Sequence, residues 1–140
     1  MISSGKRANL NEVYLQTNYV IETPNGEIVV RVGEKSELLD ELLEKHQARS
    51  WVFLTAYNPY SKQLADNENR ARQRELLKIL EDGRLRYFNG RGEGENWPFE
   101  PSVFIFDIER DRALQIARDF EQNAIVWGQM KEAAELVWCH

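Results

Sequence analysis

Trp51-Val52-Phe53-Leu54-Thr55-Ala56-Tyr57-Asn58-Pro59 decides the fold. Trp51 to Ala56 is an apolar run bounded by polar residues, which reads as a strand covered on both faces. Asn58-Pro59 closes it with a turn signal. A second segment, Trp97-Pro98-Phe99-Glu100-Pro101-Ser102, opens another apolar run, Val103 to Ile108. Both segments put amide, hydroxyl or carboxylate groups at the rim of a buried strand, and rims on a rigid sheet are where binding groups tend to sit.

Working outward, residues 1 to about 10 read as a loose polar lead-in. Val13 to Ile21 and Glu27 to Val32 are rich in β-formers, and Asn25-Gly26 between them is a hairpin signal. Ser36 is a good N-cap for a helix to about Gln47, with Leu38, Leu39, Leu42 and Leu43 as its stripe. Asp66 or Asn67 caps a longer helix to about Asp82, and Gly83 stands where a C′ glycine belongs. Leu85 to Phe88 is a short strand. Gly90-Arg91-Gly92-Glu93-Gly94 reads as a flexible surface loop or lid. A third helix starts at Asp111, with Ala113, Ile116, Ala117 and Phe120 inward. Ala124 to Trp127 and Ala134 to Trp138 close the chain as strands. The order ββαβαββαββ predicts one α+β domain over residues 11–140: a mixed or mostly antiparallel sheet of six or seven strands with three helices.

A chain of 140 residues supports one core. Its 18 basic and 23 acidic residues leave a net charge of -5, which argues against a protein held to nucleic acid by bulk charge. A lone cysteine, Cys139, excludes an internal disulfide and fits a reducing cytoplasm. No apolar run approaches the roughly 20 residues that span a bilayer. No apolar h-region follows Lys6 and Arg7, so a cytoplasmic location without a signal peptide is expected. Oligomeric state is not readable.

Polar groups then occupy places where apolar ones belong. On the long helix Leu76 and Leu80 define the inner face, and the same face carries Arg72, Asn69 and Ala65 toward its start. A buried guanidinium needs a partner: Glu100, a backbone carbonyl or a ligand anion. Equally, Asn69 and Arg72 could simply fasten the Asn58 loop. Glu100 sits between Phe99 and Pro101, where burial would raise its pKa unless Arg72 pairs with it. Gln122 and Asn123 either satisfy the orphan carbonyls of a helix end or join the same rim.

Other chemistries are weaker. The glycine-rich stretch lacks the following helix that a phosphate cradle needs. His46 and His140 are the only histidines, one on the leucine stripe and one at the last position, so a Ser-His-Asp triad with Ser102 is not supported. No Cys/His spacing suggests zinc, and Glu93, Glu95, Glu100 and Asp107 form no ordered cation loop. No cofactor or metal is expected. Arg70, Arg74 and Lys78 form an outer basic stripe, readable as a solvated face balanced by Glu68, Glu75, Glu81 and Asp82.

The leading expectation is a binding domain for a small polar or anionic ligand, a nucleotide or metabolite, held by Asn58, Asn69, Arg72, Glu100, Gln122 and Asn123. One alternative is an enzyme using Glu100 as general acid or base at that rim. Another is an interaction protein using the Arg70, Arg74, Lys78 stripe.

The ordered set Thr55-Ala56-Tyr57-Asn58-Pro59 with Ser61, Glu68-Asn69-Arg70-Ala71-Arg72, Trp97 to Val103, and Phe120 to Trp127 resembles a bacterial family catalogued as domain of unknown function 3293. The similarity runs from about Tyr19 to Trp138. It implies a single domain and directs attention to these positions, and the family carries no activity to transfer.

Overall fold

Successive side chains on a strand point to opposite faces, and here both faces of the central strands are apolar. Strands β3 (Ser50–Leu54) and β5 (Trp97–Phe106) pair antiparallel, with Val52 opposite Ile105 and Phe53 opposite Phe104. Val52, Leu54, Val103 and Ile105 feed one core, with Leu76 and Leu80 of α3 (Asp66–Asp82) and Ala113, Ile116 and Ala117 of α4 (Arg110–Asp119). Trp51, Phe53, Phe104 and Phe106 feed the other, with Leu39, Leu42 and Leu43 of α2 (Glu37–Lys45). The computed structural model describes the backbone of residues 4–95 and 97–140 and the side chains of residues 7–95 and 99–140.

The remaining elements are α1 (Ser4–Gln16), β1 (Asn18–Thr23), β2 (Gly26–Val30), β4 (Tyr87–Gly94), β6 (Ala124–Gln129), β7 (Glu135–Trp138) and a short 3₁₀ turn at Pro59–Ser61. Among the described residues seven strands form one antiparallel sheet in the order β2-β1-β4-β5-β3-β6-β7. The sheet curls until its ends meet. Beyond β2 and before β7, Val32 and Ala134 form a parallel bridge. Gly33 N–H donates to the Ala134 carbonyl at 2.8 Å and Ala134 N–H to the Glu34 carbonyl at 3.1 Å.

The α+β class, the hairpin at Asn25-Gly26 and the Ser36 cap hold, the last through Leu39 N–H donating to Ser36 Oγ at 3.1 Å. Three details are corrected. There are four α-helices among the described residues, not three: α1 occupies what reads as a loose lead-in and the start of a strand. Residues 1–3 of that lead-in lie outside the description. The glycine-rich stretch is no loop but most of β4. A Cβ on Gly90 would lie 2.5 Å from the Val20 carbonyl oxygen and 2.8 Å from the Phe53 ring, so glycine permits this close approach. Gly83 takes right-handed helical angles, and Arg84 takes the left-handed residue's place after α3, at φ 54°.

Candidate functional site

Asn58 ends the β3 segment, and its loop is locally costly. Asn58, Tyr60 and Ser61 have φ of 49°, 51° and 63°, and Glu121, whose carbonyl accepts from Tyr60 N–H at 2.6 Å, has φ 56°. Left-handed backbone at a non-glycine residue costs about 1–2 kcal/mol, so the surroundings must impose it. They do so through amides. Asn69 Oδ1 accepts from Asn58 N–H at 2.8 Å and Asn69 Nδ2 donates to Asn58 Oδ1 at 2.8 Å. Leu64 N–H donates to the same Asn58 oxygen at 3.1 Å. Asn123 Nδ2 donates to Ser61 Oγ at 2.9 Å, and Gln122 Nε2 to the Tyr57 and Phe120 carbonyls at 2.9 and 3.1 Å.

Behind this loop, α3 presents Asn69, Gln73, Leu76 and Leu80 inward, all buried. Gln73 Oε1 accepts from Ala56 N–H at 3.1 Å. Gln73 escaped the sequence reading, although it lies on the stripe that joins Asn69 to Leu76 and Leu80. Arg72 stands beside that stripe. It donates from Nε to the Ala56 carbonyl at 2.8 Å and from Nη2 to the Phe120 carbonyl, and pairs with Glu121 at 3.5 Å. Of the partners the sequence left open for Arg72, backbone carbonyls are the ones it takes here, together with Glu121, and it fastens the loop through them. The strand order explains this: β6 flanks β3 on one side and β5 on the other, and Arg72 meets the chain entering β6.

Glu100 approaches from β5. Asn58 Nδ2 donates toward Glu100 Oε2 at 3.5 Å, and Ser102 Oγ donates to the Glu100 carbonyl at 3.0 Å. Asn58, Glu100, Ser102, Gln122, Thr55 and Ser61 share one cavity of about 70 Å³. Its other walls were not foreseen: Leu10, Val13 and Tyr14 from α1, with Thr17 and Tyr19. Asn69, Arg72 and Asn123 stand behind the wall and shape the loop. The side chains of Trp97 and Pro98, part of the rim read from sequence, lie outside the description.

The hollow is electrostatically one-sided. Among the described residues lining it, Glu100 alone carries a charged side chain. Burial, reinforced by Glu100, pushes the Tyr14 hydroxyl well above the ordinary tyrosine range. Burial does the same to Tyr19, with smaller contributions from Tyr14 and Glu100. These hydroxyls remain protonated donors and acceptors at neutral pH. Nucleophilic chemistry finds no support: Ser102 donates to a main-chain carbonyl, and His46 lies elsewhere, stacked on Phe106 at 4.7 Å. Burial, then Arg86, holds the His46 pKa below its usual value. Among the described residues no cluster of His, Cys, Asp or Glu could hold a metal ion, and no helix is long and apolar enough to cross a membrane. Arg70, Arg74 and Lys78 are exposed on the outer face of α3, remote from the cavity lining.

No curated protein and no solved structure matches the chain. Residues 54–125 match the family model described as Protein of unknown function (DUF3293). That span holds Asn58, Asn69, Arg72, Glu100, Gln122 and Asn123, and leaves out α1, β1 and β2. With just over half its length matched, including the whole amide-clamped loop and the Glu100 strand that faces it, the chain belongs to the DUF3293 family.

Proposed function

We propose that the domain binds a small polar molecule in the hollow between Asn58, Glu100, Ser102 and Gln122, and that the bound group is a hydrogen-bond donor such as an amine or amide. The observation carrying this is the lining: one carboxylate, hydroxyls and amides over the aromatic walls of Tyr14, Tyr19 and Phe53. A carboxylate beside aromatic faces suits a cationic or donor-rich head. Arg72, the residue an anion would need, is engaged with two carbonyls and Glu121, so a nucleotide phosphate has less support than an amine. Size points the same way. A cavity of about 70 Å³ is below the roughly 150 Å³ that holds a benzene-sized guest, so it suits a small head group and not a whole nucleotide.

A thermal-shift panel of small amines, amides, nucleosides and carboxylic acids, followed by calorimetry of any hit, tests this. Amines or amides should raise the melting temperature of the native chain, and Glu100→Gln should weaken their binding at least tenfold, the loss of one charge-assisted hydrogen bond. Binding of carboxylates alone, undiminished in Glu100→Gln, would contradict it.

A further inference from the structure

We propose that α1 is a hinged cover over this hollow, latched at its far end and displaced to admit a ligand. The inference rests on the reading of the hollow as a binding site. Leu10, Val13 and Tyr14, spaced i, i+3 and i+4 on one side of the helix, form part of its wall. Yet every residue from 7 to 16 stays at least partly exposed, although the Tyr14 ring packs against the core and its hydroxyl is enclosed. The first turn of α1 has no acidic residue and the last turn no basic one, so no side chain of the helix itself offsets its dipole.

The helix is held at two places. At its C-terminal end, Thr17 N–H donates to the Tyr14 carbonyl at 3.3 Å, Thr17 Oγ1 to Val13 at 2.6 Å and Arg31 to Leu15 at 3.2 Å. Only Thr17 separates α1 from β1, and this is the hinge. Nearer the N-terminus, Arg7 donates to the His140 carbonyl and lies 4.6 Å above the Trp138 ring, while Tyr14 meets Trp138 edge-on at 5.8 Å. This latch is imperfect: Arg7 Nε is buried with no acceptor among the described residues. Opening returns that donor to water, which lowers the cost of release. A guest larger than the cavity gains access only when Leu10, Val13 and Tyr14 move together.

Cysteine accessibility tests this without any ligand. In a Cys139→Ser background, Ser102→Cys places a thiol on the cavity wall and Ala117→Cys places one in the core between α4 and the sheet. With iodoacetamide, Ser102→Cys should react at least tenfold faster than Ala117→Cys. Adding Arg7→Ala should raise the Ser102→Cys rate by about tenfold and leave the Ala117→Cys rate unchanged. Equal rates at both positions, or a Ser102→Cys rate indifferent to Arg7→Ala, would mean that the cover opens only with the whole domain. Hydrogen exchange on the unmodified chain gives an independent reading. Amides of residues 8–16 should be about a hundredfold less protected than those of β3 and β5, and equal protection would overturn the proposal. Failure of these experiments leaves the amine panel unaffected, and the converse holds.

Discussion

Helices α1 and α2 cover the same face of the sheet, and they do it on different terms. α2 has nine residues and α1 has thirteen, yet the shorter helix is the better anchored. α2 begins at a Ser36 cap, carries Glu37 and Asp40 in its first turn and Lys45 in its last, and buries Leu39, Leu42 and Leu43. α1 has none of the charge pattern, and each of its described residues stays at least partly exposed, Tyr14 packing on the core's margin. Helical stability in proteins comes mainly from an apolar stripe docked on a core, so length is a poor guide to permanence. α2 sits over core along its buried stripe, whereas α1 lends that core Tyr14 and otherwise walls the hollow, where a cover gains from being able to leave.

The largest effect expected from this contrast is at Leu43, which is fully buried. Leu43→Ala should lower the unfolding free energy by about 3 kcal/mol, read from the shift in urea midpoint. Ser36→Ala removes the cap bond and should cost about 1 kcal/mol by the same measurement. Val13→Ala on α1, though a core-type truncation by sequence, should cost under about 0.5 kcal/mol of global stability, because α1 opens before the domain unfolds. A loss comparable to that of Leu43→Ala would place α1 in the same cooperative unit as α2 and erase the distinction.

The smallest effect is a pH dependence. The folded-state pKa of Tyr14 is raised, by burial first and Glu100 second. A raised pKa means that the docked state holds the proton more tightly. The associated stability is complete below the ordinary tyrosine value of about 10 and is lost as pH rises through the folded value. Ultraviolet titration should therefore show two late-ionising tyrosines, Tyr14 and Tyr19; Tyr14→Phe should remove one of them, and Arg7→Ala should move one toward the ordinary range. A late amplitude of the same size in the native chain and in both variants would detach Tyr14 from the cover.

What the sequence revealed follows the same division. The Ser36 cap, the leucines of α2, the Asn25-Gly26 hairpin and the apolar runs of β3 and β5 are local patterns, and they read correctly. Leu38 did not: it sits one step off the stripe and is 60% exposed. α1 was hidden because Val13 and Tyr14 favour strands by propensity and the helical spacing of Leu10, Val13 and Tyr14 is too short a stripe to outweigh it. The start of β4 was read as a short strand, but its glycine-rich continuation was not, because the approach of Val20 and Phe53 to Gly90 is a tertiary contact that no local pattern encodes. At the site, Asn58, Glu100 and Gln122 do converge, since strand rims can be read from where apolar runs stop. Which of its possible partners Arg72 takes was not legible, because that choice turns on which strand neighbours β3, a matter of topology. Tyr14, Thr17 and Tyr19 lie about forty residues or more from Asn58 in the chain, and only folding brings them to the same wall.

The bridge between Val32 and Ala134 has a bearing on how the protein behaves in a crowded solution. An outermost strand with idle N–H and C=O groups is a template for another chain, the usual start of edge-to-edge aggregation. Here Gly33, Glu34 and Ala134 spend those groups on each other. Where the ends of the sheet touch, the molecule offers a neighbour less backbone to copy, and self-recognition stands in for the charged or proline-studded borders that other open sheets use.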